Sequence, residues 1–147
     1  MLEPGQAADT IVHASCVALN GRGVLITGPS GSGKSLLALQ LMALGAQLVA
    51  DDRVILIRNG SELKAQAPQN LTGLIEARGI GILHASALEQ APILVVVDLS
   101  QVETDRLPRK RETVLLGVKL PLLHKSETTD FPAALTQYLR GGRKDPG

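Results

Sequence analysis

The chain has 147 residues, 44% of them hydrophobic, a net charge of +1 and one cysteine, Cys16. That balance excludes wholesale disorder, an internal disulfide and a broad cationic face for DNA. Phe131 and Tyr138 are the only aromatic residues, which also excludes a base-stacking platform for single-stranded nucleic acid.

A chain of this length is expected to form one domain, 1–147, burying roughly 70% of its unfolded surface in an aliphatic core. The opening MLEPGQAADT has neither a basic segment nor an apolar one, so no signal peptide is expected. No run approaches the roughly 20 apolar residues of a membrane span. The expectation is a soluble, cytoplasmic protein with no membrane and no nucleic-acid partner.

In chain order, residues 1–9 read as a loose lead-in and Ile11 to Leu19 as a strand. Its even positions, Val12, Ala14, Cys16 and Ala18, are small and apolar, and alternation puts His13 on the more polar face. Asn20-Gly21-Arg22-Gly23 is a hairpin signal, so the next strand, Val24 to Thr27, has an antiparallel partner before it. Cys16 reads as a buried small hydrophobe.

Residues 28–35, GPSGSGKS, match G-x-x-x-x-G-K-[ST] in full. An apolar strand precedes them and a strongly apolar helical stretch follows, the context in which this pattern is a phosphate site rather than a Gly-Ser turn. The backbone of Gly28, Pro29, Ser30, Gly31, Ser32 and Gly33 defines the cradle, with N–H groups supplied by the residues other than Pro29 and the glycines permitting φ > 0. Lys34 is expected on the outer phosphates and the Ser35 hydroxyl on Mg²⁺. The helix from Ser35 to Leu44 is apolar nearly all round, predicting a helix buried against the sheet rather than lying on the surface, and Gly45 terminates it.

Gln47 to Ala50 reads as a short strand delivering Asp51-Asp52. Val54 to Arg58, Asn59-Gly60 and Glu62 to Ala67 read as a second hairpin. Residues 71–83 predict a helical turn or loop through Glu76-Ala77-Arg78-Gly79, then a strand near Ile80 to Leu83. Ile93 to Leu99 has the all-face apolarity of a central strand. Residues 100–112 read as a polar surface loop, with Arg109-Lys110-Arg111 a solvated face, followed by strands near Thr113–Leu116 and Val118–Leu122. A last helix runs from about Pro132 to Arg140, capped by Thr129 or Asp130 and ended by Gly141, before a frayed tail over 141–147.

Phosphoryl transfer needs metal ligands and a group for the acceptor's proton. Asp51-Asp52 at a strand end can supply both: one carboxylate on the metal side, its neighbour as base. Asp98, ending the apolar run LVVVDL, competes for the metal role, and spacing alone does not choose between them.

Taken together, IVHASCVALNGRGVLITG, GPSGSGKS, LVADDRV, LIEARGIGIL and TDRL resemble, in order and spacing, the catalytic domain of the HPr kinase/phosphorylase family, over roughly Thr10 to Leu123. The resemblance implies an α/β P-loop fold with a mixed sheet, similar to the nucleotide domain of phosphoenolpyruvate carboxykinase. It implies an ATP- and Mg²⁺-dependent protein serine kinase acting on the phosphocarrier HPr, able to run in reverse on seryl-phosphorylated HPr with inorganic phosphate. Residue by residue, it makes Asp52 the general base and Asp51 the metal-side aspartate. His13 becomes an active-site histidine, Glu76 a Mg²⁺-associated glutamate, and Arg78 and Arg106 active-site arginines. Asp98 is thereby demoted.

It also implies a homo-oligomer, hexameric in the family. Members commonly carry an N-terminal domain, so this chain is similar to the short form found in alpha-proteobacteria. Leu36 stands where longer members often have an acidic residue. The basic, glycine-containing loop tied to dephosphorylation has no clear match; His124-Lys125-Ser126-Glu127 lies about there. The kinase direction is therefore supported more strongly than the reverse. Two rivals are a small-molecule P-loop kinase, against which no arginine-rich lid segment is visible, and a non-enzymatic ATP-binding regulatory module.

Overall fold

A computed structural model describes residues 6–144. Its strands are β1 (Gln6–Val12), β2 (Ser15–Leu19), β3 (Arg22–Thr27), β4 (Gln47–Ala50), β5 (Val54–Asn59) and β6 (Glu62–Gln66). They continue with β7 (Leu74–Ala77), β8 (Gly81–His84), β9 (Ala91–Val102), β10 (Glu112–Leu115) and β11 (Val118–Lys125). Two α-helices, α1 (Lys34–Ala43) and α2 (Phe131–Gly141), complete the described residues, with a short 3₁₀ turn at Gln69–Leu71.

Among the described residues, nine strands form one mixed sheet and β7–β8 a separate hairpin. The long strand β9 is where the sheet forks. One edge of it runs parallel to β3, from Gly23↔Ile93 to Thr27↔Asp98. Its other edge pairs antiparallel with β6 at Pro92 and Ala91, then parallel with β11 from Val96 onward. Two sub-sheets thus diverge from one strand, and the sheet curls. Gly23 allows the close approach of β3 to β9, because a Cβ there would stand 2.5 Å from the Pro92 carbonyl oxygen.

Side-chain alternation along β3 fills two cores. Leu25 points into the layer enclosed by the curled sheet, with Cys16, Leu56, Leu63, Val96 and Leu120. Val24 and Ile26 point the opposite way, towards Leu37 and Leu41 of α1 and Leu135 and Leu139 of α2. Arg22 ties α2 to the β2–β3 turn by donating from Nη1 to the carbonyl oxygens of Leu139 (2.9 Å) and Arg140 (2.6 Å). These are helix-terminal acceptors that need donors from outside the helix. No helix among the described residues is long and apolar enough to cross a membrane.

Both hairpins read from the sequence are present. Asn20 (φ 53°) and Gly21 (φ 76°) adopt the left-handed pair that a two-residue β2–β3 turn demands, and β5 pairs with β6 from Ile55↔Gln66 to Asn59↔Glu62. Other expectations need correction. The strand expected over 11–19 is two strands broken at His13–Ala14: β1 pairs with β5, whereas β2 lies between β3 and β4. His13 therefore sits at a bend. The lead-in expected over 1–9 is strand from Gln6 onward, and residues 1–5 lie outside those described. Glu76 is on strand β7, because Leu74 to Ala77 pair with Gly81 to His84 across a turn at Gly79 (φ 89°).

Strand β9 continues to Val102, shortening the expected polar loop. Arg111 is not merely solvated. It donates to both carboxylate oxygens of Glu103 at 3.2 and 3.1 Å, joining the two ends of that loop. The bond from Arg111 holds the Glu103 carboxyl below its ordinary range, and Glu103 raises the Arg111 guanidinium in turn. Helix α2 ends at Gly142 (φ 75°) rather than Gly141, and Asp130 occupies its N-cap without a side-chain bond. Helix α1 is buried on one side only: Leu37, Ala38 and Leu41 are covered, whereas Leu36 is 60% exposed.

Cys16 is fully buried, and desolvation pushes its thiol up to about 12. Thiolate is the reactive form. Native protein is therefore expected to resist alkylation by iodoacetamide at about pH 8, with modification in urea tracking unfolding. Rapid labelling of native protein, read by mass, would contradict this burial.

Candidate active site

The loop between β3 and α1 carries the glycine-rich segment, and its backbone explains its residues. Gly28 has φ 146° and Gly33 φ 97°. A Cβ on Gly28 would meet the Ser32 Oγ at 2.6 Å, so neither the conformation nor the space tolerates a side chain. Gly33 precedes α1 in the left-handed region with open space before it, and its carbonyl accepts the Leu37 amide at 2.9 Å. The first amides of α1 therefore face a concave loop with the positive end of the helix dipole behind them.

Lys34 is 8% exposed and folds across this loop, donating from Nζ to the carbonyl oxygens of Gly28 (2.8 Å) and Pro29 (3.0 Å). No carboxylate pairs with it among the described residues. Ser32 Oγ is buried with no partner among them. A buried cation without a carboxylate partner, beside an unpartnered hydroxyl and a helix N-terminus, suits an anionic ligand.

Asp51, at the end of β4, is 4% exposed and receives three donors from three segments. Its Oδ1 accepts from Ser15 Oγ at 2.6 Å and from Ser35 Oγ at 2.7 Å, and its Oδ2 accepts from the Glu76 amide at 3.0 Å. A buried carboxylate needs compensation of this kind. The hydroxyl at the end of the glycine-rich motif is thereby joined to the aspartate pair. Ser15 escaped attention as a functional residue; its signal is a hydroxyl within a wholly buried strand, SCVAL.

Asp52 points elsewhere. It is a non-glycine residue at φ 71°, a conformation that costs free energy and turns consecutive side chains apart. Its Oδ1 lies 2.9 Å from His13 Nε2, with the two side chains 59% and 57% exposed. The bend that breaks β1 from β2 is what brings His13 here.

The remaining expected residues are less engaged. Glu76 contributes its amide to Asp51 while its side chain is exposed. Arg78 lies at the exposed β7–β8 turn and Arg106 on the loop after β9, each without an ion pair among the described residues. No hydrogen bond joins Arg106 to the Asp51 cluster among the described residues. Asp98 sits beside Thr27 in the β3–β9 register, but its Oδ1 is occupied by the Ser100 amide (2.9 Å) and hydroxyl (2.6 Å).

Among the described residues, no group of three His, Cys, Asp or Glu side chains forms a metal cage. The donors at hand, Ser35 and Asp51, are hard oxygens. They fit Mg²⁺, which is usually held by one or two carboxylates together with substrate phosphates rather than by a protein cage.

Removing Ser15 Oγ should leave Asp51 short of a buried donor. Ser15→Ala is expected to cost about 1–3 kcal/mol, read as a lower urea midpoint with unchanged slope. An unchanged midpoint would show that the Ser15–Asp51 bond contributes nothing to stability.

Residues 5–124 match the family described as HPr Serine kinase C-terminal domain. The HPr kinase/phosphorylase of Chlorobium luteolum is 38% identical over 125 residues, covering 76% of this chain and 38% of that protein. That of Geobacillus kaustophilus is 40% identical over 135 residues, covering 83% of this chain and 43% of its own length. The chain thus spans well under half of these relatives. Among solved structures, the Hpr(Ser) kinase/phosphatase from Coxiella burnetii superposes with a TM-score of 0.77 at 26% identity, covering 89% of this chain and 94% of that one. A mixed α/β fold with the same curled sheet and a match running from residue 5 to residue 124 place this chain in the HPr serine kinase C-terminal domain family.

Proposed function

We propose that this chain is the catalytic unit of an ATP- and Mg²⁺-dependent protein kinase that phosphorylates a serine of HPr. In this reading it works as one domain, and its loop and flanking elements form a P-loop nucleotide fold of the phosphoenolpyruvate carboxykinase type. The observation that carries the reading is the convergence at Asp51. The Ser35–Asp51 bond of 2.7 Å links a phosphate-type loop to a strand end whose next residue, Asp52, is an exposed carboxylate. The names of the relatives supply the acceptor.

The amides of residues 30–35 and the Lys34 ammonium hold the triphosphate. Ser35 and Asp51, with Glu76 nearby, would hold Mg²⁺, which when bound neutralises developing charge on the phosphoryl oxygens. Asp52 accepts the proton of the acceptor serine as that oxygen bonds to the γ-phosphorus and ADP departs. His13 fixes the Asp52 carboxylate in place, and the left-handed backbone at Asp52 aims it away from Asp51. Arg78 and Arg106, exposed and without ion pairs among the described residues, are available to offset transition-state charge. In the reverse direction, with inorganic phosphate as acceptor, protonated Asp52 acts as the acid. Homo-oligomeric assembly belongs to the same reading.

Incubation with HPr, ATP and Mg²⁺ should add one phosphoryl group to HPr, measured as intact mass. Unmodified HPr alongside bound, intact ATP would instead point to a nucleotide-binding regulatory module. Phosphorylation of small acceptors alone would point to a metabolite kinase.

Asp52→Asn should lower kcat by at least about 10²-fold with ATP affinity nearly unchanged. Joint loss of activity and ATP binding would assign Asp52 a structural or metal role.

A further inference from the structure

A concavity of about 220 Å³ opens between the loop after β9, strand β11 and the end of α2. Neither the glycine-rich loop nor the cluster around Asp51 contributes a residue to it. We propose that it binds a small organic oxyanion, a carboxylate or phosphate group on a short apolar body, which joins the 103–111 loop to α2. The proposal is independent of the kinase reading.

The basic run read from the sequence as a solvated face divides on folding. Arg109 stays exposed and does not line the concavity, whereas Lys110 and Arg111 do. Arg111 is fixed twice. Its side chain donates to Glu103, and its carbonyl oxygen accepts the Leu122 amide of β11 at 2.9 Å. The bonds to Glu103 use Nε and Nη2, which leaves Nη1 for another acceptor. Lys110 forms no ion pair among the described residues.

A third cation arrives from the opposite side. Arg22 holds the last turn of α2, and Gly142, at φ 75°, turns the chain out of the helix. Arg143 then reaches back to the loop and donates from Nη2 to the Pro108 carbonyl oxygen. Lys110, Arg111 and Arg143 thus line the concavity, and no acidic side chain does. The rest of the lining is half-buried: Pro121, Leu122 and Leu123 of β11 and Tyr138 of α2. Like charges beside a low-dielectric wall concentrate a positive field, which draws an anion. The aliphatic wall selects a molecule with a carbon body over a bare ion. The volume lies below the roughly 300–1,000 Å³ usual for drug-sized ligands, which limits the occupant to a small molecule. An oxyanion between Lys110 and Arg143 would link the same two segments that the Arg143–Pro108 bond already joins.

Titration calorimetry with succinate, glycerol phosphate and inorganic phosphate tests this. Succinate or glycerol phosphate is expected to bind more tightly than inorganic phosphate, and which of the two binds identifies the head group. Lys110→Ala, at an exposed position, should weaken that binding about fivefold. Lys119→Ala, an exposed lysine of β11 outside the concavity, should stay within about twofold of wild type. Saturation with the bound anion should also slow amide hydrogen exchange across residues 104–110. Binding of neither organic anion, or no preference over inorganic phosphate, would overturn the proposal. So would binding that Lys110→Ala leaves unchanged, or that Lys119→Ala weakens equally. Unchanged exchange in the saturated protein would overturn the link between the loop and α2.

Discussion

A carboxylate almost sealed from water organises this molecule. Asp51 collects hydroxyls from Ser15 and Ser35 and the amide of Glu76, residues 36, 16 and 25 positions away along the chain. Burial of a charge is tolerable only when its oxygens are satisfied. Each donor therefore fixes its own segment: the start of β2, the start of α1 and strand β7. The catalytic proposal depends on the same three bonds, because they set the distance between the glycine-rich loop and the neighbouring Asp52.

Asp51 and Asp52 show how one backbone conformation gives adjacent identical residues opposite tasks. The first is inward and accepts three hydrogen bonds; the second is more than half exposed and faces His13. The positive φ at Asp52 accomplishes the divergence. Strain of this sort persists when surrounding structure over-determines it, here strand β4 on one side and β5 on the other. His13 owes its place to the interruption between β1 and β2, so the pair is a product of the sheet's path rather than of local preference.

The sheet's path follows from β9. Pairing with β6 at its start and with β11 from Val96 onward, against β3 from Ile93 to Asp98, makes the strands diverge and wraps one hydrophobic layer inside the curl. The second layer is closed by α1 and α2. The glycine-rich loop emerges where β3 leaves this doubly covered sheet, which gives it a rigid base on both faces. Leu36 lies just beyond that cover, and its exposure marks the face of α1 that does not pack.

Contiguous residues carried much of this. The glycine-rich loop, the Asn20-Gly21 and Asn59-Gly60 turns, the central apolar strand, the burial of Cys16 and the terminal helix are all legible, because turn chemistry, caps and periodicity act over a few residues. Local pattern found the strand near 80–83 but missed β7 before it, since Gly79 marks a hairpin turn as readily as a helix end, and it merged β1 with β2, since small apolar alternation continues across the bend. It also placed α1 against the sheet, where Leu37, Ala38 and Leu41 pack, but not the exposure of Leu36, because composition counts apolar residues without knowing where the neighbouring layers stop. The donors around Asp51, the His13–Asp52 contact, the Glu103–Arg111 clasp and the open face of Leu36 were settled only in three dimensions. Each depends on the register and fork of strands distant in the chain, and that information is held by packing between segments rather than by any one of them.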